Sequence, residues 1–256
     1  MIKNSIQKSY AHTLVFLGLD PATEFHSDSI RAFNSKNPFP FWNIAMITAP
    51  FTSTDLQNLN AYFGPTPYTI TISEQDKEGI QLLEEHGFKT ILSSLAMTAE
   101  HSAIAPYTKN EHISVQEVTD QATIFNTWVP LVTQAYDITD SEKECSQFIQ
   151  YLQKTEQHKN IKFFIGYWQN TPVATSMLVV YPDSAALQFV GTLPAYRKKG
   201  IGKAVSCYTL QTLDAKKIKK ICLLASSEGK PLYEKIGFNT KDSYNDMCLI
   251  SKKTIV

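Results

Sequence analysis

The chain repeats part of itself. Displaced by 150 positions, residues 78–97 (EGIQLLEEHGFKTILSSLAM) align without a gap on 228–247 (EGKPLYEKIGFNTKDSYNDM), and nine of the twenty positions are identical. The pairs are Glu78/Glu228, Gly79/Gly229, Leu82/Leu232, Glu84/Glu234, Gly87/Gly237, Phe88/Phe238, Thr90/Thr240, Ser93/Ser243 and Met97/Met247. Unrelated segments of this length share about one or two, so the repeat predicts two related units. At the same offset the strand and helix patterns of 42–75 fall on those of 192–225. The first unit is expected to lack much of its earlier part, since about 40 residues precede the repeated part. The boundary is expected at AEHSAIAPYTKNE (99–111), a polar stretch with a proline, giving units of 1–105 and 111–256.

Composition limits what such units do. Lys plus Arg and Asp plus Glu both come to 24, which argues against a nucleic-acid binder held by phosphate neutralisation. A hydrophobic fraction of 43%, with 14 Phe, 12 Tyr and 3 Trp in 256 residues, builds a core rather than a disordered chain. No apolar run approaches the ~18 residues of a spanning helix, so no membrane partner is expected. The apolar patch from Leu14 to Leu19 is too brief for a secretory core of roughly 7–15 residues, and a cytoplasmic location is expected. Cys145, Cys207, Cys222 and Cys248 form no Cys-x-x-Cys pair, and no Cys/His cluster has zinc spacing. They read as small buried hydrophobes, and no metal is expected.

The second half alternates regularly. His112 to Val118 reads as a strand, Asp120 as the cap of a helix that Pro130 interrupts, and Ser141 with Glu144 as the capping box of the next. Three strand runs follow (IKFFIGYW, VATSMLVVY and AALQFV), divided by turns at 169–172 and 182–184. A helix is expected from Gly200 to about Lys217, then the buried strand ICLLA and a short helix PLYEKIG ended by Gly237. A last strand pair or hairpin completes a β-α-α-β-β-β-α-β-α-β order: a mixed sheet with helices on both faces. In the first half, 41–48, PYTITIS and KTILSSLAMT read as strands, and TDLQNLNAYF (begun by Thr54) and DKEGIQLLEEHG as helices. Residues 1–40 read as helix then loop.

Glycine locates the chemistry. Of ten glycines, five lie between Gly191 and Gly237. Within that stretch a strand ends at Thr192-Leu193-Pro194. A basic turn, Tyr196-Arg197-Lys198-Lys199-Gly200, then opens a helix with Ile201-Gly202-Lys203-Ala204. The first turn of a helix has free N–H groups and the positive end of the dipole, and glycine lets a phosphate approach them. Arg197, Lys198, Lys199 and Lys203 add charge, so the turn reads as a diphosphate cradle. The Walker pattern fails, because Arg197 stands where its first glycine would be and Ala204 replaces the metal-binding hydroxyl. The dinucleotide pattern fails at Val205, where a third glycine belongs.

Arg-x-x-Gly-x-Gly directly after Thr-Leu-Pro resembles motif A of the GNAT superfamily of N-acetyltransferases. LLASSEGKPLYEKIGF (223–238) resembles that family's motif B, and the element order from 112 to 256 is similar to the family's. The resemblance covers about 145 residues. It implies a mixed, mostly antiparallel GNAT-type sheet flanked by helices, with a second, degenerate GNAT-like half-domain at the N-terminus in tandem with it. It implies acetyl-CoA as co-substrate. The pantetheine arm would lie along Val190, Gly191 and Thr192, and the pyrophosphate on the turn from Arg197 to Lys203, including Ile201. Motif B usually has an Asn seven residues before its tyrosine, where this chain has Ser226. Tyr233 falls on the motif-B tyrosine, which would donate a proton to the CoA sulfur; the inner face of a helix would also bury such a residue.

The expected activity is transfer of an acetyl group to a primary amine of a small molecule, by direct attack in a ternary complex. A CoA-binding pseudoenzyme or sensor, and a protein-lysine or N-terminal acetyltransferase, are the alternatives. Glu117, Asp137, Asp242 and Asp246 are all candidates for the general base. In the first copy Pro50 stands opposite Gly200 and Thr52 opposite Gly202, so no CoA site is expected there. Phe39-Pro40-Phe41-Trp42 is either core or part of an acceptor pocket wall.

Overall fold

A computed structural model of the chain describes residues 24–38, 40, 43–138, 142–154 and 160–249. Its strands are β1 (Glu24–His26), β2 (Ile30–Asn34), β3 (Asn43–Ile47), β4 (Thr69–Ser73), β5 (Phe88–Glu100), β6 (Ile113–Val118), β7 (Ile161–Trp168), β8 (Thr171–Val180), β9 (Ser184–Thr192), β10 (Lys220–Ala225) and β11 (Asn239–Leu249). The main helices are α1 (Ser53–Phe63), α2 (Lys77–Glu85), α3 (121–135), α4 (Glu142–Lys154), α5 (Ile201–Gln211) and α6 (Lys230–Lys235).

The strands form one sheet in the order β1-β2-β3-β4-β11-β5-β10-β9-β8-β7-β6. This order is palindromic about the β11/β5 pair, as far as β1 and β7. β3 and β4 pair in parallel, as do β9 and β10. β11 pairs antiparallel with β4 and β5, and β5 pairs antiparallel with β10. Each half's last strand is thus inserted beside the strands of the other half. The thirteen-residue β5 and eleven-residue β11 pair with each other along nearly the whole of β11. In place of the expected terminal hairpin, β11 is a single strand.

α5 and α6 pack on one face of the second half, with Ile201, Val205, Leu210, Tyr233 and Ile236 against Leu187, Ile221 and Leu223. α3 and α4 cover the other face, where Trp128, Val132, Cys145 and Ile149 meet Phe163, Met177 and Ala186. Phe33 of β2 belongs to that second apolar cluster, so the first half closes against the α3/α4 side. α1 and α2 bury Leu56, Leu59, Phe63 and Leu83 against Ala45, Ile70 and Met247. Among the described residues no helix is long and apolar enough to cross a membrane.

Several local expectations are corrected. Residues 24–34 form a hairpin of β1 and β2 rather than helix then loop; residues 1–23 lie outside the described residues. α1 is capped by Thr52, not Thr54, because Asp55 three positions on completes a capping box. α5 ends at Gln211, six residues before Lys217. Within α3, a wide π turn at Ile124–Trp128 precedes Pro130. That turn accommodates a ring that clashes with a regular preceding turn and supplies no N–H. The Ser141 cap lies outside the described residues, as do Phe39, Phe41 and Trp42. All four cysteines are buried and none forms a disulfide. Burial pushes the Cys145 thiol up to about 12, with the Glu142 charge adding to it.

Candidate functional site

The site begins as a failure of two strands to stay together. β9 and β10 pair only at Ser184/Lys220, Ala185/Ile221 and Ala186/Cys222. Beyond that point β9 runs on to Thr192 and β10 to Ala225, and a V-shaped cleft opens between them. The divergence has a local cause. Between Thr175/Gly191 and Met177/Gln188, β9 carries one residue more than β8, a bulge that bends the strand. Phe189 takes the strain with φ of 49°, and its carbonyl accepts from Thr175 Oγ1 (2.9 Å).

The bulge decides which backbone groups face the cleft. The Leu193 N–H donates to Val173 of β8 (2.9 Å), so Thr192 and Val190 point the other way, into the gap. Both of their carbonyls already have donors. Tyr136 Oη donates to the Val190 carbonyl (3.3 Å) and Arg197 Nε to the Thr192 carbonyl (3.1 Å). The exposed edge of β9 therefore offers N–H donors with its acceptors covered. An arm of amide carbonyls suits such an edge.

At the end of β9 the chain turns into α5. Lys198 (φ 61°) and Gly200 (φ 81°) both take left-handed conformations, and Gly200 is the N-cap. The cap has no side-chain hydrogen bond, and no acidic residue lies in the first turn. The first backbone bond of α5 runs from Ala204 N–H to the Gly200 carbonyl (3.0 Å). The N–H groups of Ile201, Gly202 and Lys203 have no helical acceptor, and the positive end of the dipole is uncompensated. Residues 197–200 and Lys203 are exposed around it.

The basic side chains divide their work. Arg197 does not stand free: its Nη2 also donates to the Ala135 carbonyl (3.0 Å), tying the end of α3 to the end of β9. Lys199 Nζ lies over the Trp168 and Tyr196 rings, 5.0 and 5.3 Å from their centroids. Lys198 and Lys203 have no acidic partner among the described residues.

Tyr233 projects from α6, 8% exposed, edge-to-face with Phe238 at 5.9 Å. Burial raises its pKa well above the usual phenol, and the nearby Tyr136 phenol raises it further. Tyr233 is therefore a neutral O–H donor at any ordinary pH. Tyr136 stands across the cleft at the end of α3. Its ring is 48% exposed, yet the protein around its hydroxyl pushes its pKa up to about 12. Ser226 Oγ accepts from the Gly229 N–H (3.1 Å), so it turns the chain into α6 while its own hydrogen remains available. No sequence motif marks Tyr136; only the fold carries the end of α3 over the bulge.

The carboxylates separate. Glu117 of β6 pairs with Lys162 of β7 (3.3 Å), beyond β8 from the cleft. Asp242 accepts from the Ser243 N–H (2.9 Å) and from Gln75 (3.3 Å). Asp137 sits in a left-handed conformation (φ 58°) beside Tyr136. Asp246 on β11 accepts from Thr71 Oγ1 of β4, and burial lifts its carboxyl to about 6 against the lowering effect of that bond.

The first half has the corresponding elements without the cleft. β3 extends one residue past its last pair with β4, Met46/Thr71, so little edge is exposed. Thr52, the N-cap of α1, is the structural counterpart of Gly200, not of Gly202, because the preceding loop is shorter. The N-terminus of α1 is closed by the protein's own anion. Asp55 Oδ2 accepts from Thr52 N–H (2.9 Å) and Thr52 Oγ1 (2.7 Å), and Oδ1 accepts from Ser29 (2.7 Å).

Residues 134–246 match the family model of the acetyltransferase (GNAT) domain. A Bacillus subtilis (strain 168) protein bearing an acetyltransferase name is 26% identical over 83 residues, 32% of this chain and 56% of that protein. The match thus spans little more than half the length of that curated relative. Among solved structures, a GCN5-related N-acetyltransferase from Kribbella flavida superposes with a TM-score of 0.70 at 14% identity, over 96% of this chain and 95% of that one. Another from Sphaerobacter thermophilus gives 0.60 at 14% identity, over 86% and 75%. At such identities the likeness is one of fold.

Proposed function

We propose that this chain, which belongs to the GNAT superfamily through residues 134–246, transfers an acetyl group from acetyl-CoA to a primary amine in the β9/β10 cleft. The observation that carries this reading is a donor set in two parts, the Val190 and Thr192 N–H groups on the strand edge and those of Ile201 to Lys203 at the helix end. It joins a strand edge with covered carbonyls to an uncapped helix N-terminus flanked by lysines. The N–H groups of Val190 and Thr192 hold amide carbonyls of the pantetheine arm, and those of Ile201, Gly202 and Lys203 hold the pyrophosphate. Lys198 and Lys203 supply charge. Arg197 braces the cleft rather than giving its whole guanidinium to the phosphates.

Acetyl-CoA supplies a thioester whose sulfur leaves as a thiolate. Tyr233, neutral and on the cleft side of α6, delivers a proton to that sulfur as charge develops. Asp246 lies on β11 between β4 and β5, one strand removed from the β10 wall, so its raised pKa reflects burial there rather than a place beside the acceptor. All four cysteines are buried, which favours direct attack over an acyl-enzyme. The closure of the first half against the α3/α4 side, through Phe33, favours a small acceptor over a protein tail. Residues 1–105 are read as a degenerate GNAT-like half, supported by the palindromic strand order and by a helix end that Asp55 already fills.

The test is calorimetric titration with CoA. Replacing both Gly200 and Gly202 by valine forces a branched side chain onto a left-handed cap and fills the approach to the first turn, beside Leu232 Cδ1. The CoA dissociation constant is expected to rise at least a hundredfold, and unchanged binding overturns the cradle. Thiol release from acetyl-CoA across a panel of small amines then separates an enzyme from a CoA-binding sensor, which binds without release.

A further inference from the structure

We propose that Tyr136 is the wall that limits the size of the acyl group entering the cleft. The inference rests on the acyl-CoA reading above. It concerns the end of α3, which lies directly on the β9 bulge. Gly191 makes that approach possible: a Cβ there would come within 2.7 Å of Ala135 Cβ and 3.2 Å of Tyr136 Cε2. The ring is therefore seated where the strand bends and where the edge donors begin.

The wall is held firmly. Tyr136 Oη is bonded to the Val190 carbonyl, and its N–H to the Val132 carbonyl (3.1 Å). Arg197 fixes the neighbouring Ala135 carbonyl to the same strand. Phe189 backs the ring edge-on at 6.4 Å, and Trp128 backs Phe189 at 6.0 Å. Asp137 then turns the chain away in a left-handed conformation. The residue so supported is still 48% exposed. It lies near enough to the Tyr233 phenol to raise its pKa, which puts the two side chains at the same end of the cleft.

An acyl chain whose sulfur lies by Tyr233 and whose carbonyl lies on the β9 edge continues toward this ring. An acetyl methyl ends short of it, whereas each further methylene must displace a side chain held by both α3 and β9. One methylene too many in a shaped pocket typically costs 10- to 200-fold.

The experiment measures the dissociation constants of free CoA, acetyl-CoA and butyryl-CoA for the full chain and for Tyr136→Ala, Tyr136→Leu and Tyr136→Phe. The parent is expected to bind butyryl-CoA at least tenfold more weakly than acetyl-CoA. Tyr136→Ala and Tyr136→Leu should bring that ratio to within threefold of unity; because both also remove the bond to the Val190 carbonyl, the free-CoA constant of each variant serves as its own reference. Tyr136→Phe, which keeps the ring, should keep the discrimination. A parent that binds both acyl-CoAs equally overturns the inference, as do alanine and leucine variants that retain the full ratio. A parent that binds free CoA not at all overturns the acyl-CoA reading itself, and the inference with it.

Discussion

Arg197 and Ala135 lie 62 positions apart in the chain, yet the guanidinium of one donates to the carbonyl of the other at 3.0 Å. The same side chain donates to Thr192, so one residue of the basic turn ties the last residue of α3 to the last residue of β9. This clasp and the Tyr136–Val190 bond beside it hold the end of α3 against the β9 wall of the cleft.

Replacing Arg197 by leucine removes both bonds of the clasp. With the side chain exposed, the expected loss is about 1–2 kcal/mol of unfolding free energy in urea melts. CoA should bind more weakly because the lip is loosened. Arg197→Lys restores the charge but not the fork that spans two carbonyls. Its CoA affinity should resemble that of the leucine variant; recovery to the parent value would mean that charge alone was at work.

Tyr233→Phe tests the proton donor. Burial and the neighbouring phenol keep Tyr233 neutral, so its hydroxyl is available throughout the working pH range. Loss of that hydroxyl should lower kcat about a hundredfold and leave KM within threefold. An unchanged kcat with a raised KM would make the residue a packing element of the cleft floor.

Asp246 predicts a pH-dependent stability. Its carboxyl titrates at about 6 in the folded protein against an ordinary 3.8. Between about pH 4 and 6 the folded form holds a proton that the unfolded chain has released, so stability falls as pH rises through this window. Above it the loss is complete. Asp246→Asn keeps an acceptor for Thr71 and carries no charge. Urea melts should find it equal to the parent near pH 3.5 and more stable at pH 7.5, by at most about 3 kcal/mol. A difference that stays constant with pH would rule out the ionisation as its source.

The legible parts of this molecule were those whose information is local. The turn from Thr192 to Lys203 announces itself through glycines and charge, and α6 through Leu-Tyr-Glu and the glycine that ends it. Strand identity in β6 to β10 follows from alternation and turn residues. The hairpin of β1 and β2 escaped because Glu24–His26 and Ile30–Asn34 are too short to establish a period. The roles of Tyr136 and Arg197 escaped for another reason. Each acts through a backbone carbonyl far along the chain, and carbonyls leave no trace in residue identity. The repeat indicated two units, but not that they exchange strands, because β5 and β11 pair across a separation that no periodicity records.

That exchange ties the two halves of the sheet to each other. β5, made by the first half, is the strand that shields one flank of β10, the strand forming one wall of the cleft. Severing the chain near residue 105 and discarding the front piece would strip β10 and β11 of a shared neighbour and leave raw hydrogen-bonding edges prone to aggregation. The front half in this way supplies the seam that its partner's sheet closes on.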